Sequence, residues 1–471
     1  MLPVVALVGR PNVGKSTLFN VLTLSRDALV HDRPGVTRDR QYGVCRHAEQ
    51  PYVVVDTGGL TDSKDLLARA TVKQAHSAID EADLILFIVD AKDGLLVDDH
   101  DVVQFIRRSG KPCMLVLNKI DAAGETQART DFAPLGMEPM LAISAAHRRG
   151  IDLLQHEIRN RLPKKDPEQT AADAGLDLSR MKGIRLAIIG RPNVGKSTLV
   201  NRLLGEDRVI ASEVPGTTRD AIAIPVNRDG QDWVLIDTAG VRRKSKVEDV
   251  VEKFSVIKTL QTLDQCDVAI LMLDAQEGVT DQDASVLGYA LDAGRALVIA
   301  LNKWDGLSTY QRERSQSEML RRLDFVPWAE RITISAKHGS GLGELMDAAM
   351  AAYQSANADI ASSEMTRALE AAIAAYQPPL VGGKAPKMRY AHLGGNKPPR
   401  IIIHGSRLEG VAASYVRYLE NFFRKRYKLV GTPVAIQMRT GDNPFAGRKN
   451  ELTDKQSQKR KRMIKHHKRG K

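Results

Sequence analysis

Short runs of apolar residues recur along the chain, separated by longer stretches in which the apolar positions follow a helical period. Continuous aliphatic and β-branched runs of about five residues are typical of strands that are buried on both faces. Their alternation with helical stretches predicts a mostly parallel, doubly wound α/β sheet, and two sets of such runs predict two sheets. The runs lie at 4–8, 52–55, 84–89 and 113–117, and at 185–189, 233–236, 268–273 and 296–301.

The two halves of the chain repeat one another. The octapeptide Gly-Arg-Pro-Asn-Val-Gly-Lys-Ser occupies 9–16 and recurs unchanged 181 residues later at 190–197. Ser144 recurs as Ser335, by which point the spacing has grown to 191 residues. A spacing between matched residues that grows by small steps indicates two duplicated domains with loops of unequal length. It does not fit a short-period solenoid.

Positive charge is concentrated in the last quarter of the 471-residue chain, whose net charge is +12. Residues 448–471 contain eleven Lys and Arg against two acidic residues, and residues 355–447 contain thirteen against six. This asymmetry predicts a polyanionic partner for the region, with a merely solubilising tail as the alternative. The last residues offer almost no side chains for a core, so we expect a disordered tail.

These patterns divide the chain into two repeated α/β domains joined by a polar linker, a small basic α+β domain and the basic tail. The expected limits are 1–162, 163–182, 183–354, 355–445 and 446–471. In the small domain, strands are predicted at 388–390, 400–404 and 434–438, and a helix at 410–426.

Several classes of protein are excluded by the composition. No apolar run approaches the roughly 18 residues of a membrane span, so we expect no membrane partner. The first residues lack the basic region and cleavage site of a signal peptide. The three cysteines, Cys45, Cys113 and Cys266, lie far apart and suggest neither a disulfide framework nor a metal site. A reducing, cytoplasmic setting is therefore expected.

Each octapeptide fits the pattern GxxxxGK[ST] and follows an apolar run, which is the context of a phosphate-binding P-loop. Its glycines let backbone N–H groups point at phosphate oxygens, and the following helix presents its N-terminal dipole to the same charge. We expect Lys15 and Lys196 to reach the β- and γ-phosphates, and Ser16 and Ser197 to ligate Mg²⁺. The expected nucleotide-binding residues here are Gly9, Arg10, Pro11, Asn12, Val13, Gly14, Lys15 and Ser16, and Gly190, Arg191, Pro192, Asn193, Val194, Gly195, Lys196 and Ser197.

Two further tetrapeptides, at 118–121 and 302–305, follow apolar runs and fit the pattern NKxD. A carboxylate can accept hydrogen bonds from both N1–H and the exocyclic amine of guanine, whereas adenine lacks this donor arrangement and would leave the carboxylate unpaired. The lysine stem can lie over the base plane. The expected guanine-binding residues, which indicate GTP and GDP as ligands, are Asn118, Lys119, Ile120, Asp121, Ser144 and Ala145, and Asn302, Lys303, Trp304, Asp305, Ser335 and Ala336.

Between these motifs lie two candidate switches in each half. The pattern DxxG places Asp56 and Asp237 to hold Mg²⁺ through water, and its glycine N–H to meet the γ-phosphate. The repeated PGxTRD segments make Thr37 and Thr218 the expected sensors of Mg²⁺ and the γ-phosphate. The remaining expected nucleotide contacts are Asp56, Thr57, Gly58, Gly59 and Leu60, and Asp237, Thr238, Ala239, Gly240 and Val241. The expected catalytic set is Lys15, Thr37, Gly59, Lys196, Thr218 and Gly240.

With both copies of GRPNVGKST and PGxTRD in one polypeptide, the sequence resembles the bacterial double-GTPase family called Der or EngA over essentially its whole length. The resemblance implies two tandem P-loop GTPase domains followed by a KH-like domain. It also implies GTP hydrolysis, a role in late assembly of the large ribosomal subunit, and nucleotide-dependent association with that subunit and its rRNA. We expect a monomer. The alternative function is a nucleotide-gated interaction module for another RNA or protein partner.

The sequence departs from signalling GTPases directly after DxxG. Those enzymes place a catalytic glutamine there, whereas this chain has Leu60 and Val241, which cannot orient water. Hydrolysis must then rely on Mg²⁺ and the P-loop lysine, and another cation is a further candidate. Asn12 and Asn193 occupy the P-loop position at which related enzymes use an asparagine side chain to help hold K⁺ beside the phosphates. The alternative is that these two residues only shape the loop.

The last domain lacks the GxxG loop with which KH domains clamp RNA, because no two glycines between 355 and 447 lie three residues apart. Contacts to the phosphate backbone remain possible for Arg424, Lys425, Arg426 and the tail. The aromatic residues Phe422, Phe423 and Tyr427 favour core packing over base stacking.

Overall fold

The computed structural model describes residues 2–23, 42–57, 79–120, 124–163, 181–206, 223–236 and 256–440. In this part of the chain, two six-stranded sheets are followed by a three-stranded sheet, which confirms the predicted fold class. The expected linker, apart from its ends, and the expected disordered tail lie outside the described residues. Within the described ranges, no helix has the length and apolar character needed to cross a membrane.

The first sheet is mostly parallel and has the order β2-β3-β1-β4-β5-β6, with only the edge strand β2 antiparallel to its neighbour. Its strands are β1 (Val4–Val8), β2 (Tyr42–Cys45), β3 (Tyr52–Asp56), β4 (Leu84–Asp90), β5 (Cys113–Asn118) and β6 (Met140–Ala142). The helices are α1 (Lys15–Thr23), α2 (Val97–Ser109), α3 (Glu125–Phe132) and α4 (Ile151–Arg161), with a short 3₁₀ helix at Ala133–Leu135. Apolar residues of α1 and α4 cover one face, and those of α2 and α3 cover the other.

The second sheet repeats this topology in the order β12-β11-β10-β7-β9-β8. Its strands are β7 (Ile184–Ile189), β8 (Ile224–Arg228), β9 (Gln231–Ile236), β10 (Val268–Asp274), β11 (Ala296–Asn302) and β12 (Glu330–Thr333). The helices are α5 (Lys196–Glu206), α6 (Val256–Gln265), α7 (Asp281–Asp292), α8 (Thr309–Arg322) and α9 (Leu342–Ala356), with a 3₁₀ turn at Trp304–Gly306. Helices α5 and α9 pack on one face, and α6, α7 and α8 pack on the other.

Local sequence explains where several of these helices begin and end. Thr280 precedes α7, and its hydroxyl accepts a hydrogen bond from the backbone N–H of Asp283 at 3.3 Å. The Asp283 carboxylate accepts in return from the Thr280 N–H at 3.0 Å, which completes a capping box. Gly110 ends α2 with φ near +65°, a left-handed conformation that glycine adopts without strain.

Helix α6 of the second sheet also contacts the first sheet. Ile257 and Leu260 form one apolar cluster with Val4, Val53 and Val55 of β1 and β3. The Gln261 side-chain amide donates to the Leu2 carbonyl at 2.8 Å. Helix α6 thus joins the core of its own sheet to the edge of a core in the first repeat.

The C-terminal elements are α10 (Ser362–Ala375), β13 (Lys387–Leu393), β14 (Arg400–Ser406), α11 (Ala413–Tyr427) and β15 (Ala435–Thr440), and the sheet order is β13-β14-β15. The chain divides into two compact units, and the C-terminal elements are shared between them. Residues 360–392, 401–419 and the last strand form a unit with its own core, in which the Tyr415 hydroxyl donates to the Tyr376 carbonyl at 2.8 Å. Residues 393–400 and 420–435 belong to the same unit as the two larger sheets.

This second group corrects one expectation about phosphate contacts. The Arg424 guanidinium lies 5.0 Å from the ring centroid of Trp328 and donates to the Thr432 carbonyl at 2.6 Å, so it is engaged within the fold. Lys425 and Arg426 are exposed, as a phosphate contact would require. Phe423 is fully buried and stacks on Tyr427, which confirms core packing for Phe423.

Candidate nucleotide-binding sites

The sheet order brings the sequence motifs of each repeat to one edge. In the first sheet, β1 leads into the P-loop, and its parallel neighbours β3 and β4 end at Asp56 and Asp90. Strand β5 ends at Asn118, and the segment after β6 contains Ser144 and Ala145. Ligands of open parallel sheets bind beyond the carboxyl ends of the strands, so these residues border one candidate site.

A buried asparagine joins the two sides of each site. The Asn118 amide donates to the Val13 carbonyl of the P-loop at 2.8 Å, and its oxygen accepts from the Ala145 N–H at 3.0 Å. In the second domain, Asn302 donates to Val194 at 2.7 Å and accepts from Ala336 at 2.9 Å. The first residue of NKxD therefore fixes the phosphate loop against the loop on the guanine side.

Glycine is required where this asparagine approaches the P-loop. Gly14 and Gly195 have φ angles of +96° and +102°, in the region that favours glycine. A Cβ atom at Gly14 would lie 2.3 Å from the Asn118 amide nitrogen, and one at Gly195 would lie 2.2 Å from that of Asn302. A side chain at either glycine would therefore displace the asparagine that joins the P-loop to the guanine-side loop.

The P-loop lysines point back at their own loops. The Lys15 ammonium donates to the carbonyls of Gly9, at 2.8 Å, and Arg10, and the Lys196 ammonium donates to Arg191 at 2.8 Å. Burial lowers the pKa of Lys15 to about 8, against the opposing attraction of Asp56. A phosphate group at this position would provide the negative charge that a buried ammonium needs.

We expect GTP binding by the first domain to become weaker as the pH rises above about 8. Below that pH, Lys15 already carries its proton; above it, the site must take up a proton to bind phosphate, so the affinity falls by up to about tenfold per pH unit. The measurement is GTP affinity from about pH 7 to about pH 9 in a Lys196→Ala background. Calorimetry at pH 8 in buffers of different ionisation enthalpy should show uptake of about half a proton, and an affinity independent of pH would contradict this assignment.

The guanine side of the second site is a cavity of about 380 Å³. Its lining contains P-loop, NKxD and Ser335-loop residues together: Asn193, Gly195, Thr198, Gln276, Asn302, Lys303, Asp305, Ser335 and Lys337. A hydrogen bond with Ser335 lowers the pKa of the Asp305 carboxyl, and His338 and Lys337 add to this effect. Asp305 is therefore ionised at neutral pH and can act only as a hydrogen-bond acceptor, which suits the donors of guanine.

Sequence reasoning missed two aspartates that position these motifs. Asp90 lies 2.5 Å from the Lys119 ammonium, and Asp274 lies 2.5 Å from that of Lys303, so the NKxD lysine of each domain is held at the end of the central strand. These aspartates recur 184 residues apart, the same spacing as Asn118 and Asn302. A search of the two halves for matched polar residues at strand ends would have found them.

The P-loop arginines are held in a similar way. Arg10 donates to the fully buried Asp99 at 2.8 Å, and Arg191 lies 3.3 Å from the buried Asp283. Asp99 and Asp283 each accept from the backbone at the start of their helix, so one carboxylate fixes both a helix N-terminus and a phosphate loop. This pair also recurs after 184 residues.

The structure describes many of the expected site residues, but only the first two residues of the first DxxG segment among the candidate switches. Both P-loops, Asp56, Thr57, Asn118, Lys119, Ile120, Ser144, Ala145, 302–305, Ser335 and Ala336 are described. The expected residues that lie outside the described part are Thr37, Gly58, Gly59, Leu60, Asp121, Thr218, Asp237, Thr238, Ala239, Gly240 and Val241.

The described residues are chemically suited to Mg²⁺. Ser16 is exposed at the second position of α1, and Asp56 is buried at the end of β3. The Asp56 carboxylate is close enough to the P-loop to raise the pKa of Lys15 against the effect of burial. Among the described residues, no group of three or more His, Cys, Asp or Glu could hold a metal.

Two doubly wound sheets, each with a phosphate loop and a guanine-side loop at its carboxyl edge, define a P-loop GTPase with two nucleotide sites. A family model described as "50S ribosome-binding GTPase" matches residues 4–119 and 185–303, and one described as "KH-domain-like of EngA bacterial GTPase enzymes, C-terminal" matches 360–439. The chain is 57% identical to the GTPase Der of Stenotrophomonas maltophilia over 467 residues, 99% of each chain. It is 55% identical to that of Xylella fastidiosa over 470 residues, 100% of each chain.

The chain belongs to the Der (EngA) family of GTPases. It is accordingly a GTP-hydrolysing protein with two G domains, of a ribosome-binding family that acts in ribosome biogenesis. P-loop GTPases generally use Mg²⁺. Among solved structures, an Aquifex aeolicus Era variant bound to GDP and AlF₄⁻ is 20% identical, covers 70% of this chain and 99% of that chain, and has a TM-score of 0.30. That likeness is too distant to bear on function.

Proposed function

We propose that both G domains bind and hydrolyse GTP, and that their nucleotide state controls association of the chain with the large ribosomal subunit and its rRNA. The observation that carries the proposal is the duplicated asparagine link, in which Asn118 and Asn302 make the same pair of hydrogen bonds to their P-loops and guanine-side loops. The same link in both domains supports two working sites.

In each proposed site, the residues of the chain stabilise phosphate charge and orient the reacting groups, and none of them forms a covalent bond to the nucleotide. The P-loop N–H groups and Lys15 or Lys196 would stabilise the charge that develops on the β- and γ-phosphates. Ser16, Thr37 and Asp56, and Ser197, Thr218 and Asp237, would hold Mg²⁺, which when bound neutralises phosphate charge. Gly59 and Gly240 would donate backbone N–H groups to the γ-phosphate. Since Leu60 and Val241 cannot orient water, slow intrinsic turnover is expected.

The guanine base would be recognised by the carboxylates of Asp121 and Asp305. Lys119 and Lys303 are held by the aspartates at the ends of β4 and β10, so their stems are fixed beside the position proposed for the base. The loops that begin with Ser144 and Ala145, and with Ser335 and Ala336, would offer their backbone to the guanine carbonyl. The N–H groups of Ala145 and Ala336 themselves donate to Asn118 and Asn302. Ionised Asp305 at the guanine-side cavity supports this assignment for the second domain.

We expect K⁺ in place of Na⁺, at constant ionic strength, to raise the GTPase rate by about tenfold. A second cation beside the phosphates would compensate for the missing glutamine and needs to lower the barrier by only about 1.4 kcal/mol. Asn12 and Asn193 are exposed in their P-loops, where their side-chain amides can reach a cation. The measurement is steady-state GTP hydrolysis in the two salts.

A matched variant separates this role from loop shaping. Both asparagines have φ near +65°, a left-handed conformation that asparagine and glycine tolerate. The Asn12→Gly and Asn193→Gly variants keep that backbone but lose the amide, and they should lose the response to K⁺. Equal rates of the unchanged protein in K⁺ and Na⁺ would leave loop shaping as the only role.

The association with the large subunit is tested by co-sedimentation. The full chain is mixed with purified large subunits in the presence of GDP, GTP or a non-hydrolysable GTP analogue, and the bound fraction is measured. A bound fraction that depends on the nucleotide supports the proposal. Association with another RNA or protein but not with large subunits would favour the alternative, a nucleotide-gated interaction module.

The wider organisation of the protein is part of the same proposal. The domain limits are 1–162, 183–354 and 355–445, with a linker at 163–182 and a basic tail at 446–471. The match of a KH-domain-like family model to residues 360–439 supports the third domain. We propose a cytoplasmic monomer without a membrane partner.

A further inference from the structure

Three aromatic rings lie side by side on the C-terminal three-stranded sheet, and we call Tyr390, His392 and His404 the ring array. The Tyr390 and His404 ring centroids are 4.5 Å apart with an interplanar angle of 8°, and those of His404 and His392 are 5.1 Å apart at 21°. Tyr390 is 47% exposed. The three rings thus form a nearly parallel stack that spans two strands, and Tyr390 is its exposed member.

The ring array lies on the face of the sheet opposite to the core. Side chains alternate along a strand, and Ala391, which lies between Tyr390 and His392 on β13, is fully buried. His404 of β14 stacks on Tyr390 and is only partly buried. The rings therefore do not belong to the hydrophobic core of this unit. Packing between core layers does not explain three stacked rings here, whereas it does explain Phe423.

One basic residue accompanies the array: Arg439 of β15 lies close enough to His404 to act on the charge of its imidazole. Lys387 and Arg389 also belong to β13, but they alternate with Tyr390 and His392 along the strand and share the face of Ala391. Burial, together with His392 and Arg439, lowers the pKa of His404. Its imidazole is therefore neutral at pH 7 and adds no positive charge to the stack. The His404 Nε2 atom is buried and has no hydrogen-bond partner in the described part of the chain.

We propose that the ring array is a stacking surface for single-stranded RNA, on which an unpaired base extends the stack at Tyr390 while Arg439 meets a phosphate. Aromatic platforms beside cations are how proteins bind single strands without reading sequence, because every base has a π face. This surface would give the domain the RNA contact that a missing GxxG loop cannot provide. The inference deepens the proposed function and rests on its assignment of an RNA partner.

The test is the binding of a fluorescent single-stranded oligonucleotide RNA by the full chain, followed by anisotropy over a series of salt concentrations. Tyr390→Ala should weaken binding by about five- to a hundredfold at every salt concentration, because stacking does not depend on counterion release. The plots of log affinity against log salt for the two proteins should be parallel. Tyr390→Phe, which keeps the ring, should bind as the unchanged protein does.

Two controls keep the result specific. Tyr310→Ala removes another exposed tyrosine, which is 74% exposed on α8, and should leave RNA binding unchanged. The GTPase rate of Tyr390→Ala should also be unchanged, because the ring array contains none of the nucleotide-site residues. With a 4-thiouridine oligonucleotide, ultraviolet cross-linking should modify the peptide that contains Tyr390.

The proposal is overturned if Tyr390→Ala binds the oligonucleotide as tightly as the unchanged protein. It is also overturned if that variant loses only its co-sedimentation with large subunits, since the array would then contact protein. Failure of the unchanged chain to co-sediment would instead contradict the proposed function, and the oligonucleotide measurement does not depend on that result.

Discussion

Replacing Asp305 by Asn is expected to weaken GTP binding by the second domain about a hundredfold, and to improve the binding of xanthosine triphosphate. The carboxylate would accept two hydrogen bonds from guanine, whereas an asparagine amide would set its own donors against those of the base. Xanthine has a carbonyl in place of the exocyclic amine, so it can accept from the asparagine. A hundredfold loss corresponds to about 2.7 kcal/mol.

The measurement requires that the first domain no longer binds nucleotide. Nucleotide affinities are measured on the full chain in a Lys15→Ala background, with GTP and with xanthosine triphosphate. Asp229→Asn is a matched control, because Asp229 is a highly exposed aspartate of the same domain, in a turn where its φ of +50° also suits asparagine. An unchanged GTP affinity in the Asp305 variant would show that the carboxylate does not recognise the base.

Deleting residues 448–471 is expected to weaken RNA binding by about a hundredfold at low salt while leaving GTP hydrolysis nearly unchanged. The deleted segment carries eleven Lys and Arg against two acidic residues, and both nucleotide sites precede residue 354. If about half of these cations contact phosphates, fewer counterions are released, and the plot of log affinity against log salt becomes shallower by about four. The remaining basic domain should keep weaker binding of its own.

The tail prediction is checked on RNA and on large subunits across a salt series, with a control of equal length. In the control, the tail's lysines and arginines are replaced by glutamine, so that chain length is kept while charge is lost. The deletion and the neutralised tail should behave alike. Equal slopes for the full and truncated chains would show that the tail only solubilises the protein.

The strands and motifs were predictable because their signal is local. The run at 113–117 predicted β5, which extends one residue further, to Asn118, and β10 likewise ends at Asp274 rather than at 273. The predicted strands stop one residue short because the last residue of each is polar. These polar residues at the ends of buried strands are the ones that position the nucleotide-site motifs. Edge strands such as β2 and β6 were not predicted, because they are short and only partly buried, so they lack a continuous apolar run.

The contacts that assemble the sites were not predictable from spacing. Asn118 reaches Val13 across 105 residues, and this contact exists only because β1 and β5 both flank β4 in the sheet. The link between Lys119 and Asp90 has the same origin. Strand order decides which strand ends lie together, and a hydrophobic period carries no information about that order.

The C-terminal domain shows the same limit. Its strands were predicted, but the stacking of His404 on Tyr390 depends on the register between β13 and β14. From the sequence alone, Arg424 was expected to be available for a phosphate contact, because nothing in the neighbouring residues indicates that Trp328 lies beside it. Charge counted along the chain thus predicts a class of partner, and only tertiary packing decides which cations are available to it.

The central claim is that one chain carries two working guanine nucleotide sites, and the number of GTP molecules bound and hydrolysed per chain tests it most directly. Bound nucleotide and initial rates are measured for the unchanged protein, Lys15→Ala, Lys196→Ala and the double variant. We expect two, one, one and no bound GTP, with hydrolysis lost only in the double variant. A stoichiometry of one in the unchanged protein, or full activity in the double variant, would contradict the account.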